Sequence, residues 1–307
     1  MTTSPAKRSR RPPLPSWFKI KLPAGEKLQA YQGTSSAVQE NRLHTVCQEA
    51  DCPNIHDCWS RGTATFMIAG QTCTRNCRFC SVEHERRPAP PDPTEPESLA
   101  DAVETMKLDY AVITVVNRDD LPDGGASHYR ACLDAVHARR PDVGLELLGS
   151  DLAGNEAALA SLLEGAPLKV FAHNVETVER LTANVRDRKA SFRVSLRILE
   201  AARELRPDLM TKSSIMVGLG EAPEDVSSSM QQLREVGADL LTLGQYLAPS
   251  PRHYPVMNFP HPEQFDAWKQ EALDMGFLGV ASGPLVRSSF RAGQLYAEAR
   301  QRHQPSA

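Results

Sequence analysis

The stretch that decides the fold reads Thr63-Ala64-Thr65-Phe66-Met67-Ile68-Ala69, then Gly70-Gln71-Thr72, then Cys73-Thr74-Arg75-Asn76-Cys77-Arg78-Phe79-Cys80. Its first part is a short apolar and β-branched run that stops at a glycine, which reads as a buried strand. Its second part sets three cysteines at C-x3-C-x2-C spacing directly after that strand. Outward from this point two periodicities alternate. Further strands are predicted over 110–116, 143–148, 168–171, 210–217, 240–243 and 278–281, and helices over 96–106, 127–139, 155–164, 192–205, 224–236 and 261–275. Strand–helix units of this length imply parallel strands joined by right-handed crossovers. The expected fold is α/β, a partial (β/α)6-type TIM barrel flanked by N- and C-terminal extensions; an open doubly wound sheet shares the periodicity. In a barrel the cysteine loop falls at the C-terminal mouth, where barrel enzymes do their chemistry.

Composition narrows the class. The chain has 307 residues, 35 basic and 38 acidic side chains and a net charge of −3, which argues against a dedicated nucleic-acid or membrane-surface binder. No apolar run approaches the roughly 18 residues that span a bilayer. Residues 1–25 are basic and proline-rich: Lys7, Arg8, Arg10, Arg11, Lys19 and Lys21 precede the first acid, Glu26. Their prolines oppose the amphipathic helix of a mitochondrial transit peptide, so a bacterial cytoplasmic setting is expected. Residues 17–22 alternate apolar and basic side chains and suggest a short strand or an arm lying on the body.

Six of the seven cysteines lie between Cys47 and Cys80, which points to metal or redox chemistry. Cys73, Cys77 and Cys80 supply three corners of a 4Fe–4S cluster and leave the fourth iron open. A structural zinc site wants four protein ligands, with His84 as the available fourth. Cys47, Cys52 and Cys58, at C-x4-C-x5-C spacing, form a second three-thiolate set that also lacks a fourth cysteine. His44 and His56 are nearby but read as ordinary surface or hydrogen-bonded histidines. Cys132, within a helical stretch, reads as a buried free thiol. Electron-transfer ferredoxins ligate each cluster fully, so two incomplete sets favour an enzyme over an electron carrier.

The C-x3-C-x2-C loop after a barrel strand resembles the radical S-adenosylmethionine superfamily, and the second cysteine set narrows the resemblance to the lipoyl synthase family. Several further segments carry it: Asn117-Arg118-Asp119-Asp120-Leu121-Pro122-Asp123-Gly124-Gly125, His173-Asn174-Val175-Glu176-Thr177-Val178, Lys212-Ser213-Ser214-Ile215-Met216-Val217-Gly218-Leu219-Gly220-Glu221, Leu243-Gly244-Gln245-Tyr246-Leu247 and Gly283-Pro284-Leu285-Val286-Arg287-Ser288-Ser289-Phe290. The sequence departs from the family pattern at Phe290, which replaces a tyrosine, at Ala172, at Gly149-Ser150 and at Ala248-Pro249-Ser250.

The resemblance implies two 4Fe–4S clusters and S-adenosylmethionine as cofactors. Cys73, Cys77 and Cys80 would hold the cluster that cleaves S-adenosylmethionine to a 5′-deoxyadenosyl radical. Cys47, Cys52 and Cys58 would hold an auxiliary cluster, with Ser289 as fourth ligand and Ser288 as runner-up; a helix N-cap is the plain reading of both serines. Sulfur would go in at C6 and C8 of an octanoyl chain on a lysine of a lipoyl-carrier protein or domain, and the auxiliary cluster would be consumed. Candidate S-adenosylmethionine contacts at strand ends are Asn117, Asp119, Glu146, Asn174 and Lys212. The run from Gly218 to Glu221 is either an adenine platform or a turn. The implied organisation is a tail over 1–25, an auxiliary-cluster segment over 26–62, the barrel over 63–282 and a closing C-terminal extension over 283–307. Implied partners are the octanoylated carrier, an electron donor such as flavodoxin or ferredoxin, and an iron–sulfur carrier that rebuilds the spent cluster, with no nucleic acid, no membrane and a monomeric chain. Rival readings are another radical sulfur-inserting enzyme and a non-enzymatic two-cluster or zinc module.

Overall fold

The computed structural model describes residues 13–18, 24–40, 44–49, 52–60 and 65–303. Its main sheet contains β1 (His44–Thr45), β2 (Thr65–Ile68), β5 (Tyr110–Val115), β6 (Gly144–Leu148), β7 (Val170–Ala172), β8 (Met210–Val217), β9 (Leu240–Gln245) and β10 (Gly279–Gly283), in the order β1-β2-β5-β6-β7-β8-β9-β10; β3 (Thr72–Cys73) and β4 (Glu83–His84) form a small separate pair. All neighbours from β2 to β10 run parallel, and β1 lies antiparallel on the outer edge of β2. Among the described residues β1 and β10 are the ends of this sheet and do not pair, so the barrel is partial and open. The open doubly wound alternative is set aside by the sequential strand order, since a doubly wound sheet reverses direction part-way.

The strands form because they are apolar on both faces, as parallel strands covered by helices must be. Phe66, Ile68, Ile113, Leu145, Leu147, Phe171, Ile215, Leu241 and Leu243 are fully buried. Between them the helices bury one stripe each. Phe192–Leu205 turns Phe192, Ser195, Ile198, Leu199 and Ala202 inward, and Ser191 caps its start by accepting from the Val194 N–H. Pro262–Asp274 does the same with Phe265, Trp268 and Ala272. No helix among the described residues is long and apolar enough to cross a membrane.

The predicted elements of the barrel are present with ends shifted by a residue or two. Of the first predicted strand, residues 63 and 64 lie outside the described residues. Within 17–22 only Trp17 and Phe18 are described, and their rings rest on His261 and Phe259, as an arm would. The sequence reading missed the helices Glu26–Glu40, Glu179–Val185 and Ala292–His303. The last buries only Ala292, Leu295 and Ala299, too small a stripe to stand out among its polar residues. It covers the lower end of the barrel: a Cβ on Gly279 would meet Leu240 at 2.9 Å and Leu295 at 3.0 Å, and Tyr296 stacks on Tyr110.

Candidate active site

The cysteine loop leaves β2 through a left-handed turn at Ala69 (φ 69°) and Gly70 (φ 100°). A non-glycine residue there is unfavourable and needs outside support. Support comes from two side chains. The Ala69 N–H donates to Glu95 Oε2 at 2.7 Å, and Arg118 Nη1 donates to the Ala69 carbonyl at 3.1 Å. His128 Nε2 lies 2.6 Å from the same Glu95 oxygen. Further along, Thr74 donates through both N–H and hydroxyl to the Asn117 carbonyl, tying the loop to the end of β5.

Arg75 is the buried anchor of the loop. Its guanidinium donates to Asp119 at 2.8 Å and to both oxygens of Asp151 at 2.6 and 2.7 Å. Burial raises the Asp151 carboxyl, but the Arg75 guanidinium and His173 outweigh it and hold the group down at about 2. His173 is itself buried, with Nδ1 on the Gly149 carbonyl and Nε2 on Ser195 Oγ, both at 2.9 Å. Burial pushes it down to about 4, so its ring is neutral.

The three sulfurs sit in peptide hydrogen bonds, that of Cys80 with Val82. The Arg75 N–H reaches Cys73 Sγ at 3.4 Å, and the Asp187 N–H reaches Cys77 Sγ at 3.3 Å. Burial pushes Cys77 up to about 11 and Cys80 up to about 12; the charge of Cys73 adds to both, and that of Cys77 adds to Cys80. Thiols so placed stay protonated unless a metal supplies the opposing charge. As placed, the sulfurs are spaced more widely than the ligands of a single ion. Three sulfurs around one zinc at a Zn–S distance of about 2.3 Å would lie about 3.8 Å apart. Among the described residues neither cysteine triplet brings its sulfurs within 4.8 Å of one another; only Glu95, His128 and Cys132 cluster that tightly. His84, the candidate fourth zinc ligand, is exposed and keeps Nδ1 3.1 Å from the Cys73 carbonyl. A wider, multi-iron cage fits this donor set.

The second triplet is built by two short helices, Val46–Glu49 and Ile55–Trp59, between which the Cys52 N–H donates to the Cys47 carbonyl and the Cys58 N–H to the Asn54 carbonyl. The C-terminal extension comes to meet it. Asn54 Nδ2 donates to the Leu285 carbonyl at 2.5 Å. Burial pushes the Cys47 thiol up, against the hydrogen bond from Thr65, and the Thr65 hydroxyl donates to Ser289 Oγ at 2.9 Å. Ser289 thus stands one residue from Cys47, although 242 positions later in the chain. Burial draws the Arg287 guanidinium down, opposed by the charge of Cys52. Ser288 and Ser289 lie in a turn before the helix Ala292–His303 and not at its cap position. His44 has no described side chain, and His56 stacks on Tyr31.

The five candidate S-adenosylmethionine contacts divide. Asn174, just past β7, donates to Glu176 at 3.2 Å while its Oδ1 is buried without a partner, an acceptor held ready for a ligand. Asn117 gives its carbonyl to Thr74. Asp119 is occupied by Arg75, Thr74 and Lys189 and acts as a brace of the loop. Glu146 and Lys212 depart from the expectation: they form a buried pair at 2.6 Å, joined by the Tyr110 hydroxyl at 2.9 Å. Tyr110 is the first residue of β5, so the pair lies in the lower barrel under Tyr296 and not at the mouth. Strand alternation reveals which face a residue occupies but not its depth. At Gly218 to Glu221 the N–H groups of Gly218 and Leu219 donate to the Glu221 carboxylate. Sequence reasoning overlooked Glu176. Its backbone is left-handed (φ 67°), its carboxyl is raised by burial, and it lies near enough to add its charge to that felt by Cys77 and Cys80.

Comparison with known proteins defines the class first. Residues 67–233 match the family model of the radical SAM superfamily, which covers more than half of the chain. A solved structure of methylornithine synthase shares the fold, with a TM-score of 0.55 at 11% identity, covering 82% of this chain and 77% of that one. "Lipoyl synthase, mitochondrial" of Meyerozyma guilliermondii is 48% identical over 305 residues, covering 97% of this chain and 78% of the relative. The protein of the same name from Aspergillus flavus is 50% identical over 290 residues, covering 93% and 69%. The chain belongs to the lipoyl synthase family of radical SAM enzymes. The mitochondrial names of these fungal relatives overturn the bacterial cytoplasmic setting expected from the proline-rich tail. Residues 1–12 and 19–23 of that tail lie outside the described residues.

Proposed function

We propose that the chain inserts two sulfur atoms, at C6 and C8, into an octanoyl group amide-linked to a lysine of a lipoyl-carrier protein. The observation that carries this reading is the meeting of Ser289 with Cys47 across Thr65, which supports Ser289 as the fourth ligand beside the second cysteine triplet. When bound, S-adenosylmethionine and two 4Fe–4S clusters supply the hydrogen-abstracting radical and the sulfur, chemistry beyond any side-chain acid or base.

The chain's own residues bind and orient. Cys73, Cys77 and Cys80 hold the reducing cluster, and peptide N–H groups at Arg75 and Asp187 hydrogen-bond its thiolates. Cys47, Cys52, Cys58 and Ser289 hold the auxiliary cluster. As a ligand, the Ser289 oxygen would hold iron less firmly than a thiolate. Asn174, through its unpartnered Oδ1, and Glu176 face S-adenosylmethionine; Arg75, Asp119 and Asp151 keep the loop in place beneath it. Segment 26–62 and segment 283–307 form one auxiliary-cluster module on the open side of the barrel, 63–282. A low-potential donor of the flavodoxin or ferredoxin kind supplies electrons, and an iron–sulfur carrier restores the spent cluster.

Anaerobic protein should contain about eight irons per chain, as two such clusters require. With dithionite, S-adenosylmethionine and an octanoyl-lysyl peptide it should yield 5′-deoxyadenosine and a peptide bearing two sulfurs. Stoichiometric zinc without sulfide, or an unchanged peptide mass with no 5′-deoxyadenosine, rejects the reading.

A further inference from the structure

The family reading requires single electrons to reach the Cys73–Cys80 loop from outside, and the surface around that loop is built from three segments laced together. The Arg78 N–H donates to the Val185 carbonyl, and Arg78 Nη1 donates to the Asn184 carbonyl at 3.0 Å. The Tyr254 N–H donates to the Arg78 carbonyl at 2.7 Å, and the Arg78 guanidinium lies 4.9 Å from the Tyr254 ring centre. His253 Nε2 sits 3.0 Å from the Cys80 carbonyl. The loop that carries two cluster cysteines is therefore flanked by residues 184–189 on one side and 250–254 on the other.

What these segments show to solvent is cationic. Arg78, Arg188, Lys189 and Arg252 are all exposed. The acid among them, Asp187, spends its carboxylate inward on the N–H groups of Asn76 and Lys189. Lys189 also reaches Asp119 at 3.2 Å, whereas Arg188 and Arg252 enter no ion pair among the described residues. The net charge of the chain is −3, so this concentration of positive charge is local. Beneath it the path inward is short: Arg78 is bonded to Cys77, and the neighbouring Asp187 N–H touches the Cys77 sulfur at 3.3 Å.

We propose that this face, centred on Arg78, Arg188, Lys189 and Arg252, docks an acidic one-electron carrier protein that reduces the cluster held by Cys73, Cys77 and Cys80. The proposal rests on the family reading for the need of an electron. Opposite charge on the carrier steers encounter and sets orientation, so its effect lies in association rate and salt dependence more than in the chemistry that follows. The octanoyl carrier is the competing occupant. It must reach the place where both cysteine sets meet, on the β1–β2 edge beside the end of β10, whereas Arg188 and Lys189 follow β7 in the middle of the sheet.

The test compares two reductants on the intact two-cluster protein. Arg188→Glu/Arg252→Glu alters neither a cysteine nor a residue assigned to S-adenosylmethionine. Driven by dithionite, which needs no docking, the double variant should form 5′-deoxyadenosine within about twofold of the wild type. Driven by an acidic flavodoxin in its reduced form, it should need about tenfold more donor for half-maximal rate, and the wild-type rate at limiting donor should fall as salt rises. An unchanged donor requirement overturns the proposal. So does a dithionite-driven assay in which the double variant raises KM for the octanoyl carrier, since the face then belongs to the substrate. If charge reversal damages dithionite-driven cleavage too, Arg188→Gln/Arg252→Gln and the wild-type salt response decide, and a salt-independent donor-driven rate rejects the docking face. Failure of the wild type to cleave S-adenosylmethionine with dithionite would instead reject the family reading.

Discussion

Single substitutions test the proposed division of the chemistry between two sulfur sets. Cys77→Ala should abolish 5′-deoxyadenosine formation. Cys52→Ala should leave part of it while losing sulfur insertion, and product analysis by mass separates the two. Equal loss of both with the fold intact would contradict separate roles. Around the loop, Glu95 satisfies the Ala69 N–H at the strained exit from β2. Glu95→Ala leaves that buried donor unmet and should cost about 1–3 kcal/mol in a denaturant titration. His173 predicts a pH response of known sign. Burial pushes its pKa from 6.5 to about 4, so between those values the unfolded chain binds a proton that the folded chain refuses. Its contribution is complete above pH 6.5 and is lost as pH falls towards 4, amounting to about 3 kcal/mol over that window. His173→Gln should flatten this part of the stability–pH curve; an unaltered slope would show that the ring is not the group responsible.

At the scale of elements, the C-terminal extension reaches the auxiliary cysteines only because β9 lets it pass. A Cβ on Gly244 would meet the Val286 carbonyl oxygen at 2.1 Å, and that oxygen belongs to backbone, which cannot rotate aside. Gly244→Ala should therefore shift the turn that carries Arg287, Ser288 and Ser289. Overpacking of this kind costs about 1–3 kcal/mol. Sulfur insertion is expected to fall further than S-adenosylmethionine cleavage, because the displaced turn carries Ser289 and none of the cysteines of the Cys73–Cys80 loop. A parallel fall in both rates would show that the extension serves the barrel as a whole.

Across the whole molecule, what was legible in the sequence was local in the chain. The cysteine spacings and the β/α alternation concern neighbours in sequence and appear in the structure as read, including Phe192–Leu205 and Met210–Val217 to the residue. What was not legible depends on pairing over long separations. Asp119 is taken by Arg75, 44 positions away, and Glu146 by Lys212, 66 positions away, so polar residues that look available at strand ends are already partnered. The helix Ala292–His303 is hidden for a related reason: its stripe becomes meaningful only against Gly279 and Leu240.

The same long-range logic governs the auxiliary site, where segments from the two extensions must arrive together. Asn54 and Gly244 seat the same stretch, one by donating to the Leu285 carbonyl and one by leaving room for the Val286 carbonyl. Asn54→Ala should lower sulfur insertion with S-adenosylmethionine cleavage largely kept. Combined with Gly244→Ala, its effect should be less than additive, since a segment already displaced has no further hydrogen bond to lose. Residues acting through shared structure commonly show coupling of about 0.5–3 kcal/mol, so a double-mutant cycle on insertion rate has the resolution to detect it. Strict additivity would mean that Asn54 and Gly244 act on separate parts of the site, and that Ser289 reaches Cys47 without the two extensions moving as one.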